Sequence, residues 1–559
     1  MAHTLYIHTK VELRRTDLQT NRQMKTLLSA ALILLASCTI QAQQATLRWW
    51  GTDTQDTTIT VWKGERISIE GRLSIDSIPD EAMYLNGRAK KGITAQVGLL
   101  GAVITDDTKG CGHHPMDRPT HLAYDIVNCD SAWAGPAPDQ TESRFMCTIE
   151  VPRDIKSGRH YIEVRLVGES TRRPYGNAGI YLNVIDRQLP EAHDYKFHTD
   201  FWQQPYSVSR YYGVERWSQE HFDLLRPYMR LLARAGQKVV SAILFYEPWG
   251  DQSYDKFTPM IETTLKSDST WSYDYTVFDR WVKFMADCGI DQQIDCYSMV
   301  PWDMNFRYYD EAKGDYSYIK CTTQDSIYSK LWTDFLKNFA LHLKENKLLD
   351  KTCIAMDERQ MPDMLRAHQI AQAAVPGIKM TLAGNYHKEL AHILQGYSIA
   401  YGQHFPPDTL AMRRSRHQVS TVYTCCTEAY PNLFTNSVPI EGTYIPLYAI
   451  SNGFDGYLHW SWMNWAEDPL HDSRYRLFSP GDTYVIYPDN HSSVRWERYI
   501  EGVQMAEKVR IMRELNTPNI KNIEEALDNF KDGDASDPDQ ITHKVELLKT
   551  ELNKVETTK

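Results

Sequence analysis

Asp357 and Glu358 stand side by side at the end of an apolar run, Cys353-Ile354-Ala355-Met356. Adjacent carboxyls repel each other's charge, which raises the pKa of one and suits it to proton donation. The same dipeptide at Asp80-Glu81 and Asp310-Glu311 lies in polar surroundings, where a solvated loop is the better reading. Only Asp357-Glu358 closes an apolar strand and opens a helix, so acid–base chemistry is expected there rather than a helix N-cap alone.

Such a pair needs elements to hold it. From about residue 196, short apolar runs alternate with amphipathic helices, the texture of βα units. Strands are expected at 196–203, 239–246, 291–299, 352–357, 379–384, 398–403, 420–426 and 456–464. Helical periodicity covers Phe278 to Cys288, Ile327 to Leu343 and Met361 to Ala374. Eight such strands predict a (β/α)₈ TIM-like barrel over 196–515, with its active site at the C-terminal strand ends.

The other strand ends carry aromatic and polar groups in quantity. Trp202 closes the first strand, Tyr246-Glu247-Pro248-Trp249 the second, and Tyr297 with Pro301-Trp302 the third. Asn385-Tyr386-His387 follows the fifth, Gln403-His404 the sixth, and Tyr423 through Glu428 the seventh. The eighth is the densest, Leu458 to Trp465, where period two places Trp460, Trp462 and Asn464 on one face. Any single Trp is as readily core as ligand contact. Several converging on one mouth describe a pocket that could grip a sugar. The candidate site is therefore Asp357 and Glu358 as catalytic groups, with Tyr297, Trp302, His404, Tyr423, Trp460, Trp462 and Asn464 as substrate contacts.

The rest of the chain narrows the class. It has 559 residues and a net charge of −11, so no basic surface awaits a nucleic acid. Charged residues at 24 % and hydrophobics at 42 % are ordinary globular values. Residues 46–188 alternate with period two, as in Thr58 to Trp62 and His160 to Leu166, which predicts an N-terminal β-sandwich. Leu189-Pro190-Glu191-Ala192 makes a linker, and 516–559 read as a polar linker and a charged, peripheral helix that could serve packing or dimerisation. Residues 1–42 form a signal region with Met24 as the initiator and an apolar run from Leu27 to Ala36, too short to span a bilayer. Leu35-Ala36-Ser37-Cys38 resembles a bacterial lipobox and is preferred over cleavage after Ala42. Either exit makes the protein exported, periplasmic or an outer-membrane lipoprotein anchored at Cys38.

Ten cysteines in an exported chain are sparse. Cys288, Cys296, Cys353 and Cys425 lie in apolar runs and read as buried small hydrophobes. Cys111, Cys129 and Cys147 share one region that could include a bridge. Cys111-Gly112-His113-His114 has no second ligand pair at metal spacing, so no metal site is assigned to it.

Together, Met356-Asp357-Glu358 after an apolar strand, Trp271-Ser272-Tyr273-Asp274-Tyr275 before a helix, and Gly456-Tyr457-Leu458-His459-Trp460 leading to Asn464-Trp465 resemble glycoside hydrolase family 123, the β-N-acetylgalactosaminidases. The resemblance covers most of the mature chain but not its extended N-terminus or charged tail. It implies an exo-acting retaining enzyme that releases terminal β-linked GalNAc from glycans without metal or organic cofactor. The nucleophile would be the substrate's own acetamide oxygen, forming an oxazolinium intermediate. Glu358 would protonate the leaving oxygen and then activate water, while Asp357 would orient the acetamide N–H. Tyr423 or Tyr297 could bond the acetamide carbonyl, and Trp460 and Trp462 could wall its methyl group. Three alternatives stay open. They are a broader β-N-acetylhexosaminidase, a two-carboxylate retaining glycosidase pairing Glu358 with Glu428, and an exported, non-catalytic glycan-binding protein.

Overall fold

The computed structural model describes residues 45–77, 80–90, 92–127, 132–133 and 142–554. The signal region, Met24, Cys38, Ala42 and Cys129 lie outside the described residues.

Eight parallel strands form one curved sheet: β1 His198–Phe201, β2 Val239–Ile243, β3 Gln293–Tyr297, β4 Thr352–Met356, β5 Lys379–Ala383, β6 Gly396–Ala400, β7 Val419–Tyr423 and β8 Gly456–His459. Each pairs with its sequence neighbour from β2 to β8, and β8 pairs back to β1. A parallel bridge between Thr199 and Gln237 joins β1 to the segment entering β2, and the Lys238 amide donates to the Thr199 carbonyl at 2.9 Å. The result is a TIM-like barrel. Its strands are short because each crosses a barrel wall covered on both faces, and that cover explains why β2 and β4 are buried at every residue.

Helices Thr276–Asp287, Ser326–Glu345 and Met361–Ala374 fall on the periodic stretches of the sequence. A smaller sheet not anticipated from the sequence grows from the chain after β2 and β3. Its strands are Glu262–Leu265, Trp271–Asp274, Asn305–Asp310 and Asp315–Lys320. Trp271 to Asp274 is thus a strand, and the helix after it begins at Thr276.

Before the barrel lie a six-stranded and a five-stranded sheet. They share one apolar cluster, in which Leu47, Leu73 and Phe145 of the first accompany Val61, Ile162 and Ile180 of the second. The Trp49 indole N–H reaches across to the Gly179 carbonyl at 2.9 Å. The six-stranded sheet includes Ser492–Ser493 from the barrel half, which pairs with His121–Val127.

Buried ion pairs reinforce the junction: Lys508 with Glu65 at 2.6 Å, Arg495 with Asp125 at 2.8 Å, and Arg66 with Glu497 at 2.8 Å. Removing one partner of such a pair strands a charge in the interior, so these contacts fix how the halves meet. A disulfide between Cys111 and Cys426 adds a covalent tie. The bridge expected near Cys111 therefore does not close within its own region, and Cys147 is a buried free thiol. Cys288, Cys296 and Cys353 are likewise free and buried, whereas Cys425 is only half-buried.

The C-terminal segment corrects another expectation. In place of a peripheral helix there are two, Ile520–Asp528 and Pro538–Leu552. Ile541, Val545, Leu548 and Leu552 recur at i, i+4, i+7 and i+11, and all four are fully buried in the main core. The Trp62 indole donates to the Leu552 carbonyl at 3.3 Å, so the tail closes onto the N-terminal sheets. Most of its charge lies on the outer face, while Lys549 pairs with Glu501 at 2.8 Å and Glu551 is buried. Among the described residues no helix is long and apolar enough to cross a membrane.

Candidate active site

Asp357 is the first residue past β4, and its side chain is almost completely buried. Oδ2 accepts a hydrogen bond from the Trp302 indole N–H at 2.8 Å. Oδ1 is buried with no hydrogen-bond partner; the Arg359 Nε lies 3.5 Å away. Burial pushes this carboxyl up to about 6, and the charge of Glu358 adds to the rise. Arg359 and the Trp302 N–H pull the other way. The acid raised in this pair is thus the aspartate, and burial outweighs the like-charge repulsion argued from the sequence.

Glu358 points away from that pocket and is exposed. Its Oε1 accepts from the Asn385 amide after β5. The Asn385 Oδ1 accepts in turn from the Gln403 amide after β6, and Gln403 Oε1 accepts from the Tyr386 backbone at 2.6 Å. Three successive strand ends therefore hold one carboxylate. Gly384 allows this approach, since a Cβ there would sit 3.3 Å from the Glu358 Cα and require the loop to shift. A cavity of about 640 Å³ lies against the acid, lined by Trp302, Met304, Glu358, Met361, Asn385 and His387 among others.

Trp302 links the two acids to solvent. Its ring is 47 % exposed, the Arg359 guanidinium lies 3.9 Å from its centre, and its backbone N–H is held by the Pro248 carbonyl at 2.9 Å. Arg359 also donates to the Val300 carbonyl at 2.9 Å, which anchors the stacked pair.

The remaining candidates divide. Tyr297 is buried against Trp202 and Trp249, with ring centres 4.6 and 5.2 Å away. Burial and the charges of Asp295, Asp200 and Asp357 hold its phenol protonated. Tyr423 ends β7 half-buried, its phenol pushed up by burial and then by Glu358, which places it on the glutamate side. Trp460 donates to Asp482 Oδ1 at 3.1 Å and packs against Phe478. Asn464 is buried, accepts from the Tyr254 backbone at 3.3 Å, and leaves its Nδ2 without a partner.

Two further candidates differ in burial. Trp462 is fully buried, 4.3 Å from Trp496 and 5.8 Å from Phe201 by ring centres, so it packs in the core. The reason is that β8 stops at His459, and alternation of faces lapses beyond it. His404 projects from an exposed loop; its neighbour Gln403 is the one that joins the network.

Glu428 is tied to its own loop: Oε2 accepts from the Cys425 backbone at 2.7 Å and Oε1 from the Thr427 hydroxyl at 2.6 Å. Sequence reasoning passed over Arg359, Asn385, Gln403 and Asp482 as site residues. The first three stood within or beside quoted motifs. Asp482, a buried carboxyl pushed up to about 7 by burial, lies in a long irregular segment with no apolar run to flag it.

An eight-stranded parallel barrel with two acids at the end of β4, rimmed by indole and phenol rings, defines the class as a barrel glycoside hydrolase. The family model described as "Glycoside hydrolase 123, catalytic domain" matches residues 202–512, and the chain belongs to that family. Among solved structures it is similar to a family 123 glycoside hydrolase from Clostridium perfringens, studied for glycolipid glycan hydrolysis. That likeness has a TM-score of 0.81 at 23 % identity and covers 91 % of this chain and 97 % of that one, which is a likeness of fold. A Bacteroides uniformis β-glucuronidase 2 is aligned at 9 % identity over 80 % of this chain and 48 % of its own, with a TM-score of 0.28, too slight to bear on the site. No curated protein matches the sequence.

Proposed function

We propose that this glycoside hydrolase is an exo-acting retaining β-N-acetylgalactosaminidase that removes terminal β-linked GalNAc by substrate assistance. The observation that carries the reading is the state of Asp357: one oxygen fixed by Trp302, the other buried and without a hydrogen-bond partner. Oδ1 meets only the Arg359 ion pair at 3.5 Å and has no hydrogen bond, so it can accept one, and a 2-acetamido group supplies a donor in its N–H. As the acetamide oxygen attacks the anomeric carbon, positive charge develops on that nitrogen, and an ionised Asp357 stabilises it. Glu358, solvent-facing and steered by Asn385, protonates the leaving oxygen and later draws the proton from water.

Sequence neighbours are poorly placed to flank one bond from opposite sides, as a two-carboxylate retaining site requires at about 5–5.5 Å. The alternative nucleophile, Glu428, has both oxygens engaged within its own loop, which favours substrate assistance. The buried Trp202, Trp249 and Tyr297 cluster supports an acetamide-methyl wall better than Trp462 does. We further read the two N-terminal sheets as a β-sandwich, and the chain as exported through a signal at 1–42 with lipidation at Cys38.

The test is hydrolysis of chromogenic β-GalNAc and β-GlcNAc glycosides, with a thiazoline mimic of the oxazoline as inhibitor. Cleavage of the GalNAc substrate, blocked by the thiazoline and retained in Glu428→Gln, is the expected result. No inhibition, with activity abolished in Glu428→Gln, would establish the two-carboxylate mechanism instead. Equal rates on both sugars would make the enzyme a general hexosaminidase.

A further inference from the structure

The sheet inserted after β2 and β3 has one face committed and one face open. Phe306, Tyr308 and Ile319 belong to the inner face, where Phe306 meets Trp332 of helix Ser326–Glu345 and Tyr308 meets Trp271. Alternation puts Arg307, Tyr309, Tyr316 and Tyr318 on the opposite face, where the ladder pairs Arg307 with Tyr318 and Tyr309 with Tyr316. Tyr316 and Tyr318 are 44 % and 53 % exposed. Large rings on an open sheet face invite aggregation unless they serve a ligand.

These rings are also held in place. The Arg307 guanidinium lies over the ring of Tyr316, 4.3 Å from its centre, and over that of Tyr246 from the loop after β2, at 3.9 Å. A planar guanidinium over both rings fixes them at little further entropic cost. Tyr309 abuts Tyr316 at 5.6 Å. Glu262, on the neighbouring strand, acts on both Arg307 and Tyr316. The face thus combines flat apolar rings with charged and hydroxyl groups, the mixture that suits a sugar's apolar ring faces and polar edges better than a purely apolar partner.

It is joined to the candidate active site through the chain. Tyr246 leads through Glu247 to Pro248, whose carbonyl holds the Trp302 backbone, and Trp302 holds Asp357. Trp302 and Arg307 are five residues apart, so their Cα atoms lie within about 18 Å of each other. We propose that this face is a second saccharide-binding platform, on which sugars of the glycan remote from the scissile bond stack against Tyr316 and Tyr318. The proposal rests on the glycosidase reading above.

The experiment compares the unaltered chain with Tyr316→Ala/Tyr318→Ala on an aryl β-GalNAc glycoside and on a GalNAc-terminated tetrasaccharide. Binding of the tetrasaccharide to the inactive Glu358→Gln chain, with and without the two tyrosines, is measured by calorimetry. The double variant should leave kcat/KM on the aryl glycoside within twofold. Its tetrasaccharide KM and Kd should rise about tenfold, equivalent to about 1.4 kcal/mol. Unchanged tetrasaccharide binding overturns the platform. So does an equal loss on both substrates, which would report a damaged site. Failure to cleave either substrate, with no sugar bound by Glu358→Gln, overturns the glycosidase reading and the platform with it. Tyrosine-dependent retention on phosphatidylcholine vesicles without any sugar effect would replace the saccharide by a lipid surface.

Discussion

The mouths of β4 and β8 are both rich in functional groups in the sequence, and the structure uses them in opposite ways. At β4, Asp357 keeps an oxygen without a hydrogen-bond partner, Glu358 faces solvent, and Trp302 lies 47 % exposed above them. At β8, Trp462 is wholly enclosed by Phe201 and Trp496. His459 there is buried, its imidazole pushed down to about 3 by burial and by Arg495, so it is neutral across the physiological range. The aromatic wealth of β8 builds the joint between barrel and helix Val494–Glu514; that of β4 leaves chemistry exposed. Unpartnered polar atoms occur at both mouths, on Asp357 Oδ1 and on the Trp462 and His459 ring nitrogens. What separates the site from the core is therefore the access to solvent that Trp302 and Glu358 provide, not the density of functional groups.

The largest expected effects belong to the β4 mouth. Glu358→Gln should lower kcat/KM on an alkyl β-GalNAc glycoside by about 10²–10⁴-fold, and much less on aryl glycosides whose leaving groups need little protonation. Asp357→Asn should lose activity on all of them alike, because its carboxylate acts on the nucleophile's side of the reaction. Rates across a leaving-group series check this, and a leaving-group dependence in Asp357→Asn would reverse the two roles.

The β8 mouth should respond in stability instead. Trp462→Ala removes a fully buried indole and should cost about 3–5 kcal/mol of unfolding free energy, read by denaturant titration. Trp302→Ala removes a half-exposed ring together with the donor to Asp357 and should cost less, about 1–3 kcal/mol, while lowering kcat/KM. A Trp462→Ala protein of normal stability but raised KM would erase the distinction between the two mouths.

How much of this was legible beforehand depends on what the signal was made of. The barrel strands were, since a wall buried on both faces must be written as a short apolar run, and β4 or β5 could hardly read otherwise. Asp357-Glu358 stood out because it ended such a run. The inserted sheet did not, for strands of four to six residues with one open face carry too few apolar positions. The Cys111–Cys426 bridge spans 315 residues, and only the fold brings its ends together. Trp462 was misplaced by extending strand alternation past the point where the strand ends. The Asn385–Gln403 relay joins two loops whose meeting no local pattern encodes.

A smaller effect follows from the burial of Asp357. Its folded pKa of about 6 lies above the unfolded value near 3.9, so the native state holds its proton more tightly. Between about pH 4 and 6 the unfolded chain releases this proton first, and stability declines as pH rises through that window. Above about pH 6 the full penalty applies, at most about 3 kcal/mol at 1.36 kcal/mol per unit. Asp357→Asn should therefore melt higher than the unaltered chain at pH 8 and equally at pH 3.5. A variant that loses activity yet gains stability marks a group kept for function. Equal melting at both values would mean that the carboxyl is solvated in the native state.

The finest test separates the two mouths by one N–H each. Trp302→Phe keeps a ring beneath Arg359 but deletes the donor to Asp357, whereas Trp460→Phe deletes the donor to Asp482. A hydrogen bond to a charged acceptor contributes about 1.5–3 kcal/mol, and water can replace part of it beside a half-exposed ring. The Asp357 pKa should rise by about one unit in Trp302→Phe. Because the reaction needs Asp357 ionised, the acid limb of kcat/KM should move from about pH 6 to about pH 7. Trp460→Phe should leave that limb in place. If the shift follows Trp460 instead, the limb belongs to Asp482, whose carboxyl burial pushes up to about 7, and the β8 mouth would share in the chemistry after all.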